Sequence, residues 1–385
     1  MWRLLAAAVV VPLLAAGCAD VSAAEPAAVA VPATPMEIAI TPGAATEGVR
    51  PDAELAVTGT AGRLTDVQVL DSAGDYVDGY YDVKHTVWTA TENLALGEKY
   101  AVYAVGQGAT GQVRQEATFA TLDPPASARL GVGSVEPADG STVGIAQPLI
   151  VGLTRPAKDR RAVQDALEVV TTPHVDGAWY WIDNMTLDWR PQEFWPSGTK
   201  VTLNANFAGR QVGDGVWGTT DRSTSFEIGR NQVIKVNVDS RRMQVERDGK
   251  VVQTFPVSTG KPGWETRNGI KVLSEFVRGK VWRSEAIHAP EQYTLYSSYA
   301  VRMTNSGEFI HDATWNNLIG AVNSSHGCIG MRLSDMSWVF SHTILGDPVV
   351  VTGSPKPYTN LQNRIADWNI DWGTWSTGNV DAKES

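Results

Sequence analysis

Cysteine is almost missing from this chain: there are two in 385 residues, Cys18 and Cys328. That excludes a disulfide-stapled fold. Histidine is sparse too, and His85, His174, His288 and His342 are scattered without ligand spacing, which argues against a zinc site. No Lys/Arg cluster is present and the formal net charge is −10, so nucleic acid is excluded as a partner. Asp and Glu show no paired arrangement of the kind that glycoside hydrolysis uses. Beyond the N-terminal stretch, no apolar run approaches the ~20 residues of a transmembrane helix.

What is present begins with Met1-Trp2-Arg3 and the apolar Leu4 to Ala16, read as a signal peptide over residues 1–17. The small residues Ala16 and Gly17 before Cys18 suit lipoprotein cleavage and acylation of that thiol; ordinary cleavage near Ala24, which would discard Cys18, is the alternative. The expected location is therefore the cell envelope, lipid-anchored to the outer face of the cytoplasmic membrane and reaching into the wall. Residues 18–35, rich in Ala, Val and Pro, cannot form a core and read as a disordered tether. At ~3.3 Å per residue it could reach on the order of 50 Å.

From Met36 onward the chain alternates short apolar strands with turn residues, which predicts a mainly β fold. Two sets of strands share landmarks. Each opens on a Pro-containing turn (Pro42-Gly43; Pro137 to Gly140), later passes through Gly97-Glu98-Lys99-Tyr100 or Gly198-Thr199-Lys200-Val201, and closes on a strand carrying Phe119 or Phe226. This predicts two tandem immunoglobulin-like β-sandwiches over 36–123 and 124–230, against the alternative of one larger irregular β-domain. A β-rich third domain with a short helix is expected over 231–353, with Ser334 as N-cap of that helix. Trp368, Trp372 and Trp375 make the 354–385 tail aromatic enough to predict docking onto a neighbouring domain.

If Cys18 carries lipid, Cys328 is an unpaired thiol in a compartment that oxidises thiols. An inert buried thiol is the alternative, but the neighbours in Ser325-His326-Gly327-Cys328 favour nucleophilic catalysis. Two imidazoles could serve it. His326 shares a strand face with Cys328, yet i,i+2 neighbours lie ~7 Å apart, too far for a direct hydrogen bond. His311 is therefore the expected general base and His326 a residue shaping the pocket. The amides of Gly327 and Cys328 are the expected oxyanion donors, and Trp315, Asn316, Asn317 and Asn323 could line a cleft.

The order His311…Ser325-His326-Gly327-Cys328, followed by a helix and a Gly346-Asp347-Pro348-Val349-Val350 strand, resembles the YkuD-type catalytic domain of L,D-transpeptidases over about residues 231–352. Ser258-Thr259-Gly260-Lys261 and Thr266-Arg267-Asn268-Gly269 fit as well. The lipobox, two sandwiches and Trp-rich tail resemble actinobacterial, mycobacterial-type members. The resemblance implies acyl transfer between peptidoglycan tetrapeptide stems, donor and acceptor, through a thioester on Cys328, giving 3→3 cross-links. It also implies carbapenem-type β-lactams as covalent inhibitors and no cofactor or metal.

In the family, the residue after the catalytic His orients the ring through its carbonyl; here that residue is Asp312, whose carboxylate could add a contact. Gly330 stands where relatives carry Asn or Arg, so substrate handling or β-lactam affinity should differ. A lid is expected from Val281 to Tyr299, with Tyr293, Tyr296 and Tyr299 as contacts. Ser306, Gly307, Trp315, Ser325 and Gly330 complete the expected substrate-binding set. Two other functions compete. One is a wall thiol carboxypeptidase releasing the acyl-enzyme to water, although papain-like enzymes place Cys before His. The other is a non-catalytic wall-binding lipoprotein.

Overall fold

A computed structural model describes residues 33–358 and 365–381; the expected leader, Cys18 and all but the end of the expected tether lie outside them. Among the described residues the fold is mainly β. Residues 37–121 form two facing four-stranded sheets. Their strands alternate as half-buried strands must: along Lys99–Gly108, Tyr100, Val102 and Ala104 turn inward while their neighbours face out. These side chains meet Leu64 of their own sheet and Trp88 of the facing one in a single core.

Residues 129–228 repeat the arrangement with two four-stranded sheets and a small third one. This core is larger and more aromatic, with Trp181, Trp189, Trp195 and Phe207 buried among Leu, Val and Ile.

The last domain holds a five-stranded sheet, in the order Lys250–Pro256, Arg242–Arg247, Gln232–Asn237, Pro348–Thr352, Gly269–Val272. A four-stranded sheet follows in the order Glu275–Arg283, Thr294–Arg302, Phe309–Asp312, Ile329–Met331. The helix Leu333–His342 packs Met336 and Val339 into the core between them. Its cap differs from expectation. The N-cap is Arg332, extended and without a side-chain bond, because one residue links the Ile329–Met331 strand to the helix. Ser334 already sits inside the first turn, its hydroxyl on the Asp335 carboxylate.

The second sandwich and the last domain are joined by backbone. Gly144 N–H donates to the Leu345 carbonyl at 2.7 Å and Ala146 N–H to that of Gly346 at 3.0 Å. Only glycine fits at 144, since a Cβ there would lie 2.2 Å from the Asp347 nitrogen. The tail reinforces this junction. Trp375 is fully buried, stacked on Tyr180 with ring centroids 4.9 Å apart, and Asn369 brackets Ile270 through both its N–H and its carbonyl. Beneath the tail, the Arg190 guanidinium lies 4.7 Å from the Trp368 ring and 4.4 Å from the Trp375 ring, and it donates to the carbonyls of Asp367 and Ile370.

Candidate active site

Two short strands bring the thiol and its candidate base together. Phe309–Asp312 pairs in parallel with Ile329–Met331, in a register that sets His311 opposite Gly330. Cys328 immediately precedes this strand, and its side chain and that of His311 line the same cleft.

The imidazole is held in one tautomer. Its Nδ1 lies 2.9 Å from the Asp312 carbonyl and 3.3 Å from Ser297 Oγ. Ser297 in turn donates to the same carbonyl at 2.6 Å and accepts the Trp282 indole N–H at 2.8 Å. A carbonyl can only accept, so Nδ1 carries the proton and Nε2 keeps its lone pair. Indoles flank the ring, Trp282 at 4.7 Å and Trp315 stacked at 5.7 Å. Burial lowers the His311 pKa below its usual value, opposed by the Asp312 carbonyl and carboxylate.

Burial also pushes the Cys328 thiol up, to about 11, while the Phe309 N–H draws it down. The sulfur lies 3.5 Å from the Gly307 carbonyl, to which it donates. Both shifts favour a neutral thiol beside a neutral imidazole over a thiolate–imidazolium pair. Cys328 and His311 open on a cleft of about 470 Å³, also lined by Tyr293, Ser306, Trp315 and Ser325, a size suited to a small ligand or peptide segment.

Residues 46–211 match the family described as bacterial Ig domain, and residues 231–351 match the L,D-transpeptidase catalytic domain (YkuD). L,D-transpeptidase 2 of Mycobacterium tuberculosis is 31% identical over 87% of this chain and 83% of its own length. L,D-transpeptidase 5 of the same organism is 35% identical over 85% of this chain and 73% of its own. The chain belongs to the L,D-transpeptidase family. A solved structure, the L,D-transpeptidase LdtMt1 in complex with imipenem, aligns with a TM-score of 0.51 and 33% identity, covering 58% of this chain and 99% of that one.

Within this L,D-transpeptidase, several expected contacts need correction. Tyr299 is not in the cleft. Ala300 lies opposite His311, so strand alternation turns Tyr299 the other way, onto Phe340 of the helix at 4.9 Å and beneath Arg278. Tyr296 is exposed and outside the lining residues. The Asp312 carboxylate does not touch the imidazole: it accepts the Tyr299 N–H at 2.7 Å, and only its carbonyl orients His311.

The Gly327 N–H is already bound to Ser325 Oγ at 3.2 Å. Among the described residues no side chain engages the Cys328 N–H, which leaves it as the free member of the expected oxyanion pair. Ser325 serves as a brace, its hydroxyl donating to the Cys328 carbonyl at 2.6 Å. Gly330 exchanges backbone hydrogen bonds with Ser258.

His326 faces the segment 281–299 expected to form a lid. Its Nε2 lies 3.1 Å from Glu291, whose carboxylate also pairs with Lys261, and its Nδ1 lies 3.4 Å from the Tyr293 hydroxyl. The Lys261 hydrogen bond, with help from His326, holds the exposed Glu291 carboxyl down at about 2.

Sequence reasoning missed Ser297, Trp282 and Glu291. No local pattern marks them; all three fall inside the Val281 to Tyr299 stretch expected to form the lid, which was the only available signal.

Proposed function

We propose that this enzyme joins peptidoglycan stems through a thioester on Cys328. The observation that carries the reading is the His311 imidazole, with Nδ1 tied to a carbonyl and Nε2 free, facing the same cleft as a neutral thiol. As Sγ attacks the carbonyl of the third residue of a tetrapeptide stem, Nε2 takes the thiol proton. The Cys328 N–H supports the oxyanion that develops. Collapse breaks the C–N bond, and imidazolium returns its proton to the departing D-alanine amine. The side-chain amine of a second stem then attacks the thioester and loses its proton to His311. The new amide is a 3→3 cross-link, and the thiol is regenerated.

The same thiol would open a carbapenem ring, forming an S–C bond as the lactam C–N bond breaks. The imipenem complex of the solved relative supports this reading. We also place the enzyme on the outer face of the cytoplasmic membrane through lipid on Cys18, on the strength of the Leu14 to Cys18 stretch; loss of membrane partition in a Cys18→Ala variant checks it.

The functional test is incubation with disaccharide-tetrapeptide, read by mass spectrometry. Dimer with loss of D-alanine supports the proposal. Tripeptide without dimer would replace it with hydrolysis. No turnover and no carbapenem adduct at Cys328 would leave a wall-binding role.

A further inference from the structure

A buried ion cluster lies against the nucleophile loop and has no part in the chemistry above. Lys271 is fully buried in the Gly269–Val272 strand of the five-stranded sheet. Its ammonium lies 2.9 Å from Glu308 Oε2, the only ionic partner it has among the described residues. Glu308, also buried, immediately precedes the strand of His311 in the other sheet. Its second oxygen accepts the Arg267 backbone N–H at 3.1 Å and Nε at 3.2 Å. Taking such charges out of water is costly, and apolar residues of similar volume generally serve stability as well or better. Their position gives a reason for keeping them.

Glu308 stands between the two residues whose backbone touches the sulfur: Gly307, whose carbonyl accepts the thiol, and Phe309, whose N–H faces it. The carboxylate also lies against the nucleophile loop itself. Gly327 has φ +118°, and a Cβ there would sit 3.8 Å from Glu308 Cγ and Oε1. From the same cluster, Thr266, next to Arg267, donates from Oγ1 to the Gly327 carbonyl at 2.8 Å. Glu308 thus lies beside the sulfur twice, along the chain between Gly307 and Phe309 and in space against the Gly327 turn. Its negative charge disfavours a thiolate, and the Lys271 ammonium opposes that effect.

We propose that the Lys271–Glu308 pair is a charge-balanced support for Cys328: Glu308 holds the backbone around the sulfur, and Lys271 offsets the carboxylate's repulsion of the developing thiolate. Both are positioning residues, since neither touches substrate. The proposal rests on Cys328 being the nucleophile, but its test does not need turnover.

The test is the pH profile of iodoacetamide alkylation at Cys328, followed by peptide mass spectrometry on the full chain. Lys271→Met shifts the profile to higher pH and Glu308→Gln shifts it lower, so alkylation at pH 9 falls in the first and rises in the second. Each pKa unit corresponds to about a tenfold change in thiolate. The double variant lies near the wild type, and Lys271→Arg restores the profile. A packing defect would move both single variants the same way. Shifts of one sign, or no shift, overturn the proposal. Should Lys271→Met fail to fold, a Glu308→Gln profile that does not move to lower pH, or a double variant that does not return from it towards the wild type, overturns the proposal. A Cys328→Ala variant that still released D-alanine would sink the functional reading while leaving these profiles untouched.

Discussion

His311 and His326 both line the cleft that holds Cys328, and they differ in what holds them. His311 is buried between two indoles, with one nitrogen committed to a carbonyl and the other open to the cleft. His326 has both nitrogens engaged by side chains, Glu291 and Tyr293, and an edge contact with Trp264 at 4.8 Å. A general base needs a free lone pair and one fixed tautomer, and His311 alone has both. His326 has the contacts of a latch.

The largest expected effect breaks the comparison outright. His311→Ala should lower D-alanine release by about 10²–10⁴-fold, the usual span for a positioned general base, whereas His326→Ala should leave most of the rate. Equal losses in the two variants would reverse the assignment.

The pH profile sharpens the same contrast. His311 acts as a base only when neutral, and its pKa is lowered by burial. Carbapenem acylation should therefore fall only as pH drops well below the ordinary imidazole value. It should hold level above that until the thiol ionises near 11. An acid limb above pH 7 in the wild type would contradict this ordering.

Ser297→Ala removes the hydroxyl that shares the Asp312 carbonyl with Nδ1 and accepts from Trp282. A hydrogen bond of this kind is worth about 1 kcal/mol, so kcat should drop by about fivefold with KM little changed. Glu291→Gln, by contrast, should act on KM, and its effect should shrink as salt is raised, since the Lys261–Glu291 contact is solvent-exposed. The smallest effect is expected from Gly330→Asn. A Cβ there meets Ala313 Cβ at 3.3 Å and the Ser258 carbonyl at 3.6 Å, so the fit is tight but not blocked. Substrate KM should change more than kcat.

Much of this was readable before any coordinates. The β-sandwich pattern shows in inward-facing Tyr100 and Val102, because alternation is a local property of a half-buried strand. Cys328, His311 and the glycine between His326 and Cys328 stood out by residue type and order. Tyr299 was misjudged because which face a strand residue presents depends on register with a partner strand, and the sequence carries no register. Ser334 was misjudged because the helix begins where the preceding strand releases the chain, one residue before the expected cap. The Lys271–Glu308 pair joins a residue of one sheet to the residue just before a strand of the other, 37 positions apart, and nothing in either neighbourhood announces the other.

The sequence by itself determined the fold class and singled out Cys328 and His311 as candidates, because these follow from periodicity, from the scarcity of cysteine and from a short ordered motif. The tertiary structure decided which nitrogen of His311 is free, which tyrosine reaches the cleft and what charge lies behind the sulfur. Those are matters of direction and of distance between remote segments, and they exist only once the sheets have paired.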